Sequence, residues 1–250
     1  ISAGHFCVKR RKPFHDRSFA TAFIHADLRE YVPDKKYDIA VSNAVLRHMA
    51  DPKAMLTKMI LSVKPGGLVI CMETDRLMQE AGRYFSHLDY AGLDHTGLYK
   101  KIWQYEWENG GRDYRTGVKI PQYMQELGLR DVQIRINDAV KFANPHDADY
   151  ERIYHSMAAA NGWDRQYGEA EKRNCTDIMT EKGLSPEDAG TFVNNEMSLL
   201  RCVQAGYGEE YILEMACAPI SFGRKPEGKP SGGKSGQEVQ IDKNDECQTA

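Results

Sequence analysis

The sequence predicts an α/β fold built on a mostly parallel sheet, and three observations carry that expectation. Two short apolar runs, Tyr37–Val41 and Leu68–Met72, flank a helical pattern, the arrangement that joins parallel neighbours through a crossover. The second run is continuous rather than alternating, which predicts a strand covered on both faces. Polar residues follow each run, Ser42 and Asn43 after the first and Glu73, Thr74 and Asp75 after the second. They fall at the carboxyl ends of the strands, where open α/β sheets bind their ligands.

The elements follow in order. Ala3–Lys12 reads as a helix ended by Pro13, and Ala22-Phe23-Ile24-His25 as a short strand closed by Ala26-Asp27. Leu28–Tyr31 is one helical turn before Pro33-Asp34. In the crossover helix Asp51 is the N-cap, Pro52 takes the first position, and Pro65-Gly66-Gly67 stops it. Its apolar residues Met55, Leu56, Met59, Ile60 and Val63 share one face. Helices are expected at Leu77–Leu88, Thr96–Glu108 and Ile120–Leu127, the last stopped by Gly128, and a strand at Val132–Ile136. Asp147–Ala160, Glu169–Glu181 and Pro186–Ala205 are further helices, the last opened by Ser185 in a capping-box-like start. Tyr211–Phe222 is the final strand region, interrupted by Pro219. From Arg224 to residue 250 the composition turns to Lys, Gly, Ser, Pro and Gln, which predicts a disordered tail.

Composition excludes several classes. A length of 250 residues with 41% hydrophobic content suits one sizeable domain with decoration. A net charge of -3 argues against a dedicated duplex-binding protein, and the run Lys9-Arg10-Arg11-Lys12 reads as a solvated helix face. No apolar run approaches the ~20 residues needed to span a bilayer. Six cysteines without a CxxC pair fit a reducing, cytoplasmic setting. His87-x-Asp89, Asp94-His95 and His146-Asp147-x-Asp149 contain metal-ligand types without a recognised spacing, so no metal is expected. Oligomeric state is not legible.

Strand, acid, strand, polar elbow, Asp-Pro helix and Pro-Gly-Gly strand at these spacings resemble the second half of the class I S-adenosylmethionine-dependent methyltransferases. The likeness is most specific over Ala26–Met72. It implies a Rossmann-like sheet, mostly parallel with an antiparallel last strand, carrying helical insertions. It also implies an S-adenosylmethionine cofactor and a small-molecule methyl acceptor, with neither nucleic acid nor membrane as partner. Ala26-Asp27-Leu28 matches the end of the family's third strand, so that Asp27 would accept from the adenine amino group and the Leu28 amide would donate to a ring nitrogen. The other reading of Asp27 is a cap on the following turn. Ser42, Asn43 and Ala44 match the loop over the cofactor's methionine portion. Lys64-Pro65-Gly66-Gly67 matches the turn into the fifth strand.

The family also opens with a strand, a glycine-rich loop, a helix and a second strand ending in an acid. No GxG motif stands upstream of Ala26, and Ile1-Ser2-Ala3-Gly4-His5-Phe6 resembles the residues that follow that acid. The expectation is an incomplete domain over residues 1–223 lacking the first two strands, with residues 76–111 and 144–206 as lid and cap. In the family the two missing strands lie between the third and fourth, so Ala22–His25 is expected to be the least supported core element and the fragment to bind cofactor weakly.

Methyl transfer from a sulfonium is an in-line displacement that needs alignment above all. His48 is the candidate base for an acceptor that carries a proton, or else a helix histidine bonded to backbone. His95, Tyr99 and Trp103 are candidate substrate contacts, Tyr99 and Trp103 being one helical turn apart and able to cover an apolar or cationic group; plain lid packing is the alternative. Two other functions remain open: another Rossmann-like enzyme using a nucleotide sugar or nicotinamide, and a degenerate non-catalytic binding or dimerisation module.

Overall fold

The computed structural model describes residue 22, residues 24–88 and residues 96–227. Along the chain come β1 (Tyr37–Asn43), a 3-10 turn (Leu46–His48), α1 (Pro52–Ser62), β2 (Val63–Met72), α2 (Arg76–Ala81) and β3 (Arg83–Phe85). Then follow α3 (Thr96–Gly110), α4 (Thr116–Glu126), β4 (Arg130–Ile136), β5 (Val140–Ala143), α5 (Tyr150–Asn161), α6 (Glu169–Glu181), α7 (Pro186–Ala205), β6 (Ile212–Met215) and β7 (Pro219–Arg224).

The main sheet has the order β1-β2-β7-β4. β1 and β2 are parallel, and β7 lies antiparallel between β2 and β4. This is the expected α/β sheet with its antiparallel last strand. α1 and α4 cover one face, and their apolar side chains meet the sheet in a core of Leu46, Leu56, Val69, Cys71, Ile120, Met124 and Leu129. Asp51 caps α1 through the Ala54 amide at 2.9 Å, as the sequence predicts.

The other face differs from expectation. Leu68, Ile70 and Met72 of β2 are only half-buried, and Ile39 and Val41 of β1 are exposed. Among the described residues no helix covers this side, so the continuous apolar run of β2 is buried on one face alone. The strand expected at Ala22–His25 is also not formed. Ala22, Ile24 and His25 lie outside any strand, and Phe23 falls outside the described residues, as do the helix expected at Ala3–Lys12 and residues 228–250. Among the described residues β1 pairs with β2 alone and forms an edge of the sheet. The turn at Leu28–Tyr31 does form, with the Tyr31 amide donating to the Asp27 carbonyl at 2.8 Å.

The turn Lys64–Gly67 belongs to β2 as a bulge, since the register with β1 slips between Tyr37 and Ile39. Gly66 has φ +76°, the left-handed region glycine favours. A Cβ on Gly67 would stand 2.8 Å from the Lys64 carbonyl oxygen and 3.0 Å from that of Asp38. The first residues of the expected tail are instead ordered: Arg224 ends β7, and Lys225 Nζ donates to the carbonyls of Ile60 and Val63 at 3.0 Å.

A second sheet, order β3-β6-β5, is wholly antiparallel. The sequence reading missed it, taking Leu77–Leu88 as one helix and Tyr211–Phe222 as one strand region. Gly82 ends α2 and β3 follows; Pro219 starts β7 rather than interrupting a strand. β6 is the middle strand of this second sheet and β7 is an inner strand of the main one. Phe85, Tyr150, Tyr154, Met157, Trp163, Leu200, Val203 and Ile212 form the core between this sheet and helices α5 and α7. Phe85 meets Trp163 edge-on, ring centroids 5.4 Å apart. A third cluster, around Ile102, Leu184, Phe192 and Val193, joins α3 to α7.

Candidate functional site

The carboxyl ends of β1 and β2 are tied together by one acid. Glu73 follows β2 and is 1% exposed. Its Oε1 accepts from the backbone amides of Val45 and Leu46, each at 2.8 Å. The Ala44 amide donates to the Met72 carbonyl at 2.8 Å, and Ala44 itself takes φ +55°. The elbow after β1 is therefore held from the neighbouring strand, in a conformation that a non-glycine residue adopts only when its surroundings enforce it. Sequence reasoning named Ser42, Asn43 and Ala44 but missed Glu73 as their anchor. The signal was an acid directly after an apolar strand.

Two buried oxygens at this end, Ser42 Oγ and Glu73 Oε2, have no hydrogen-bond partner among the described residues. Buried polar atoms are nearly always satisfied. They are acceptors suited to ammonium or hydroxyl donors of a bound ligand. Asp75, fully buried, caps α2 through the Met78 amide at 3.0 Å and receives Arg115 Nε at 3.1 Å. Gly117 lets α4 approach closely: a Cβ there would stand 2.8 Å from the Glu73 carbonyl oxygen.

A basic rim surrounds the elbow. Arg47 donates to Thr74 Oγ1, and its Nε donates to His48 Nε2 at 3.1 Å. The Arg76 amide donates to the Tyr114 carbonyl at 3.0 Å, and Arg112 Nη1 to the Tyr114 hydroxyl at 3.3 Å. Burial, then the guanidinium groups of Arg47, Arg112 and Arg76, push the His48 imidazole below its ordinary value. It is therefore neutral at pH 7, with its proton assigned to Nδ1 because Nε2 accepts from Arg47. An imidazole so engaged has no free lone pair for a substrate proton until Arg47 lets go.

Asp27 sits in the turn before β1, away from any strand. Arg29 Nε donates to its Oδ1 at 3.0 Å and Arg29 Nη2 to its Oδ2 at 2.6 Å, while the Arg29 amide donates to Oδ1 at 2.8 Å. These bonds hold the carboxyl down at about 2. Lys58 of α1 donates to the carbonyls of Leu28 and Arg29, which fastens the turn to the helix.

Tyr99 and Trp103 of α3 do come together. Their rings stack with centroids 5.6 Å apart, and Trp103 stacks in turn on Tyr114 at 5.7 Å. Tyr99 lines a cavity of about 300 Å³ among α3, α5, α6 and α7, with Trp163, Tyr167, Phe192 and Glu196. Its hydroxyl donates to Glu196 at 3.2 Å, and burial raises its pKa above the ordinary phenol value. The aromatic column thus runs from the cavity to the rim of the elbow. His95 lies outside the described residues. Among the described residues no three His, Cys, Asp or Glu groups converge as metal ligands, and no helix is long and apolar enough to cross a membrane.

A parallel pair with an antiparallel strand let in beside it, and a polar elbow at the carboxyl ends, define a Rossmann-like α/β protein. The chain belongs to the methyltransferase domain family, whose model matches residues 7–134. It is 26% identical over 107 residues to a demethylmenaquinone methyltransferase of Geobacillus sp. (strain WCH70), a match covering 41% of this chain and 46% of that protein. It is 28% identical over 115 residues to the enzyme of the same name from Bacillus licheniformis, covering 44% and 50%. These matches therefore span about half the length of the curated relatives. Among solved structures it is similar to phosphoethanolamine N-methyltransferase 2 of Haemonchus contortus in complex with S-adenosyl-L-methionine. That match has 14% identity, 80% of this chain, 36% of that chain and a TM-score of 0.34. A putative methyltransferase of Bacillus halodurans matches at 11% identity over 80% of this chain and 70% of that one, with a TM-score of 0.36.

Proposed function

We propose that the protein transfers a methyl group from S-adenosylmethionine to a small-molecule acceptor. The observation that carries this reading is the elbow from Ser42 to Leu46, fixed by Glu73 at the end of β2, in a chain of the methyltransferase domain family. When bound, the cofactor would supply an electrophilic methyl on sulfur for the acceptor's lone pair. The residues proposed to hold it are Asp27 and Leu28 at the adenine, and Ser42, Asn43 and Ala44 at the methionine portion. The unpartnered Ser42 Oγ and Glu73 Oε2 fit a ligand that brings donors.

The protein's part is positional. Carbonyls of the elbow would orient the ammonium group, and backbone held by a neighbouring strand does so without reorganising. Tyr99 and Trp103 present an aromatic wall toward the acceptor, and His95 is kept as a proposed acceptor contact from the sequence. His48, neutral at pH 7, would take a proton from a hydroxyl or amine acceptor once its Nε2 is released by Arg47.

One observation favours a non-catalytic binding module instead: both Asp27 oxygens are already engaged by Arg29. Calorimetric titration with S-adenosylhomocysteine separates the two. Saturable heat at one site per chain, weakened at least tenfold by Asp27→Ala, supports the methyltransferase reading. No heat at millimolar ligand overturns it.

A further inference from the structure

The rim of the elbow carries more positive charge than it balances. Elsewhere near this end each cation has its acid: Arg115 lies 3.1 Å from Asp75, and Lys119 lies 2.6 Å from Asp113. Arg47 and Arg76 have no carboxylate within ion-pair distance among the described residues. Arg112 has only Glu106 at 3.8 Å, and Glu106 also receives the Tyr114 hydroxyl and stands 3.8 Å from Lys182. One carboxylate, Glu106, thus serves both Arg112 and Lys182, while Arg47 and Arg76 have none among the described residues. The carboxylate of Glu73 is turned to the Val45 and Leu46 amides by one of its oxygens.

Arg47 is half-buried, and its guanidinium is destabilised by burial and by Arg76, with Arg112 adding to this and only Glu73 and Tyr114 opposing. Clustering like charges at a partly desolvated site costs stability and is relieved by an anion. The guanidinium fork is the group that matches planar and tetrahedral oxyanions. The neighbouring donors are also right: Thr74 Oγ1, already accepting from Arg47, keeps its own hydroxyl proton free to donate, and the His48 Nδ1–H is left for a ligand.

We propose that Arg47, Arg76 and Arg112 form an oxyanion subsite at the rim of the elbow, and that the methyl acceptor carries a carboxylate or phosphate seated there. The statement about the acceptor rests on the methyltransferase reading above; the subsite does not. The anion is held beside the elbow, and the rest of the acceptor lies along the column Tyr114, Trp103 and Tyr99.

The test follows the histidine side-chain NMR signals of the whole protein during titration with inorganic phosphate and, separately, with acetate. The His48 signal moves saturably with at least one of the two, and the tighter one names the oxyanion. The variant Arg47→Gln/Arg76→Gln binds it at least tenfold more weakly, while Arg47→Lys/Arg76→Lys stays within a few-fold. Should the double Gln variant fail to fold, Arg76→Gln alone is expected to give roughly a tenfold loss. A parallel titration of the same proteins with S-adenosylhomocysteine keeps the two readings apart. Phosphate or acetate binding lost with the Gln variant stands whether or not the nucleoside binds. No saturable shift, a shift unchanged in the Gln variants, or a loss confined to S-adenosylhomocysteine overturns the subsite.

Discussion

Glu73 Oε1 accepts the Leu46 amide at 2.8 Å across 27 residues of sequence. With the matching bond to Val45, this contact sets the shape of the elbow after β1 from the end of β2. Glu73→Ala removes both bonds and leaves two amides without a partner in a buried setting. The expected cost is about 3 kcal/mol or more. Glu73→Gln keeps an acceptor oxygen there and costs about 1 kcal/mol. Urea unfolding of the two variants checks the order; equal costs would mean that the carboxylate does not organise the elbow.

Gly67 is required by backbone on two sides. In Gly67→Ala the new methyl meets the carbonyl oxygens of Lys64 and Asp38, neither of which is a flexible chain end. The expected loss is about 1–3 kcal/mol, the range for overpacking, read from the shift of the urea midpoint at constant slope. A neutral result would show that the β2 bulge relaxes freely.

The Asp27 carboxyl is held at about 2 by its bonds from Arg29. Carbon-13 NMR of the side-chain carboxyl should show it titrating near that value. Because the folded value lies below the ordinary 3.8, its contribution to stability is present above about 3.8 and is lost as pH falls through about 2. In Arg29→Gln the midpoint should climb back toward the ordinary carboxylate range. A midpoint that ignores this substitution would remove Arg29 as the cause.

For His48 the sign is the same and the cause is opposite, since here the charged form is disfavoured in the fold. The folded imidazole takes up its proton less readily than the unfolded one, through burial and the Arg47 guanidinium first. Below the ordinary 6.5 the unfolded chain binds more protons, so stability falls as the solution is acidified through that value. Arg47→Gln should raise the His48 titration midpoint, followed by its ring-proton signals. An unmoved midpoint would remove Arg47 as a cause and leave burial with Arg112 and Arg76.

Local patterns were legible where one element decides its own shape. Asp51-Pro52 and Ser185-Pro186 mark helix starts because the cap and the missing proline N–H act within a few residues, and both helices begin there. The elbow at Ser42–Ala44 was legible because polar residues break an apolar run. What was not legible depends on partners far along the chain. Whether Leu68–Met72 is covered on one face or two is decided by helices elsewhere, not by its own composition. β3 and β5 hold as strands because β6 pairs with both from more than 50 residues away. Within Arg83–Phe85 nothing distinguishes such a short strand from the helix before it. The basic rim was missed because Arg47, Arg76 and Arg112 are scattered in sequence and meet only once the strand ends are assembled.

The segment Ile212–Arg224 sits inside both sheets at once, β6 between β3 and β5, and β7 between β2 and β4. During synthesis every one of those flanking strands emerges first and waits, its hydrogen-bonding edge unmatched, until this late stretch arrives. Closing such distant pairings is slow, because loop entropy must be spent before any contact rewards it. A single nick at Cys217-Ala218 would therefore not trim an end of the molecule; it would part the middle strand of one sheet from an inner strand of the other.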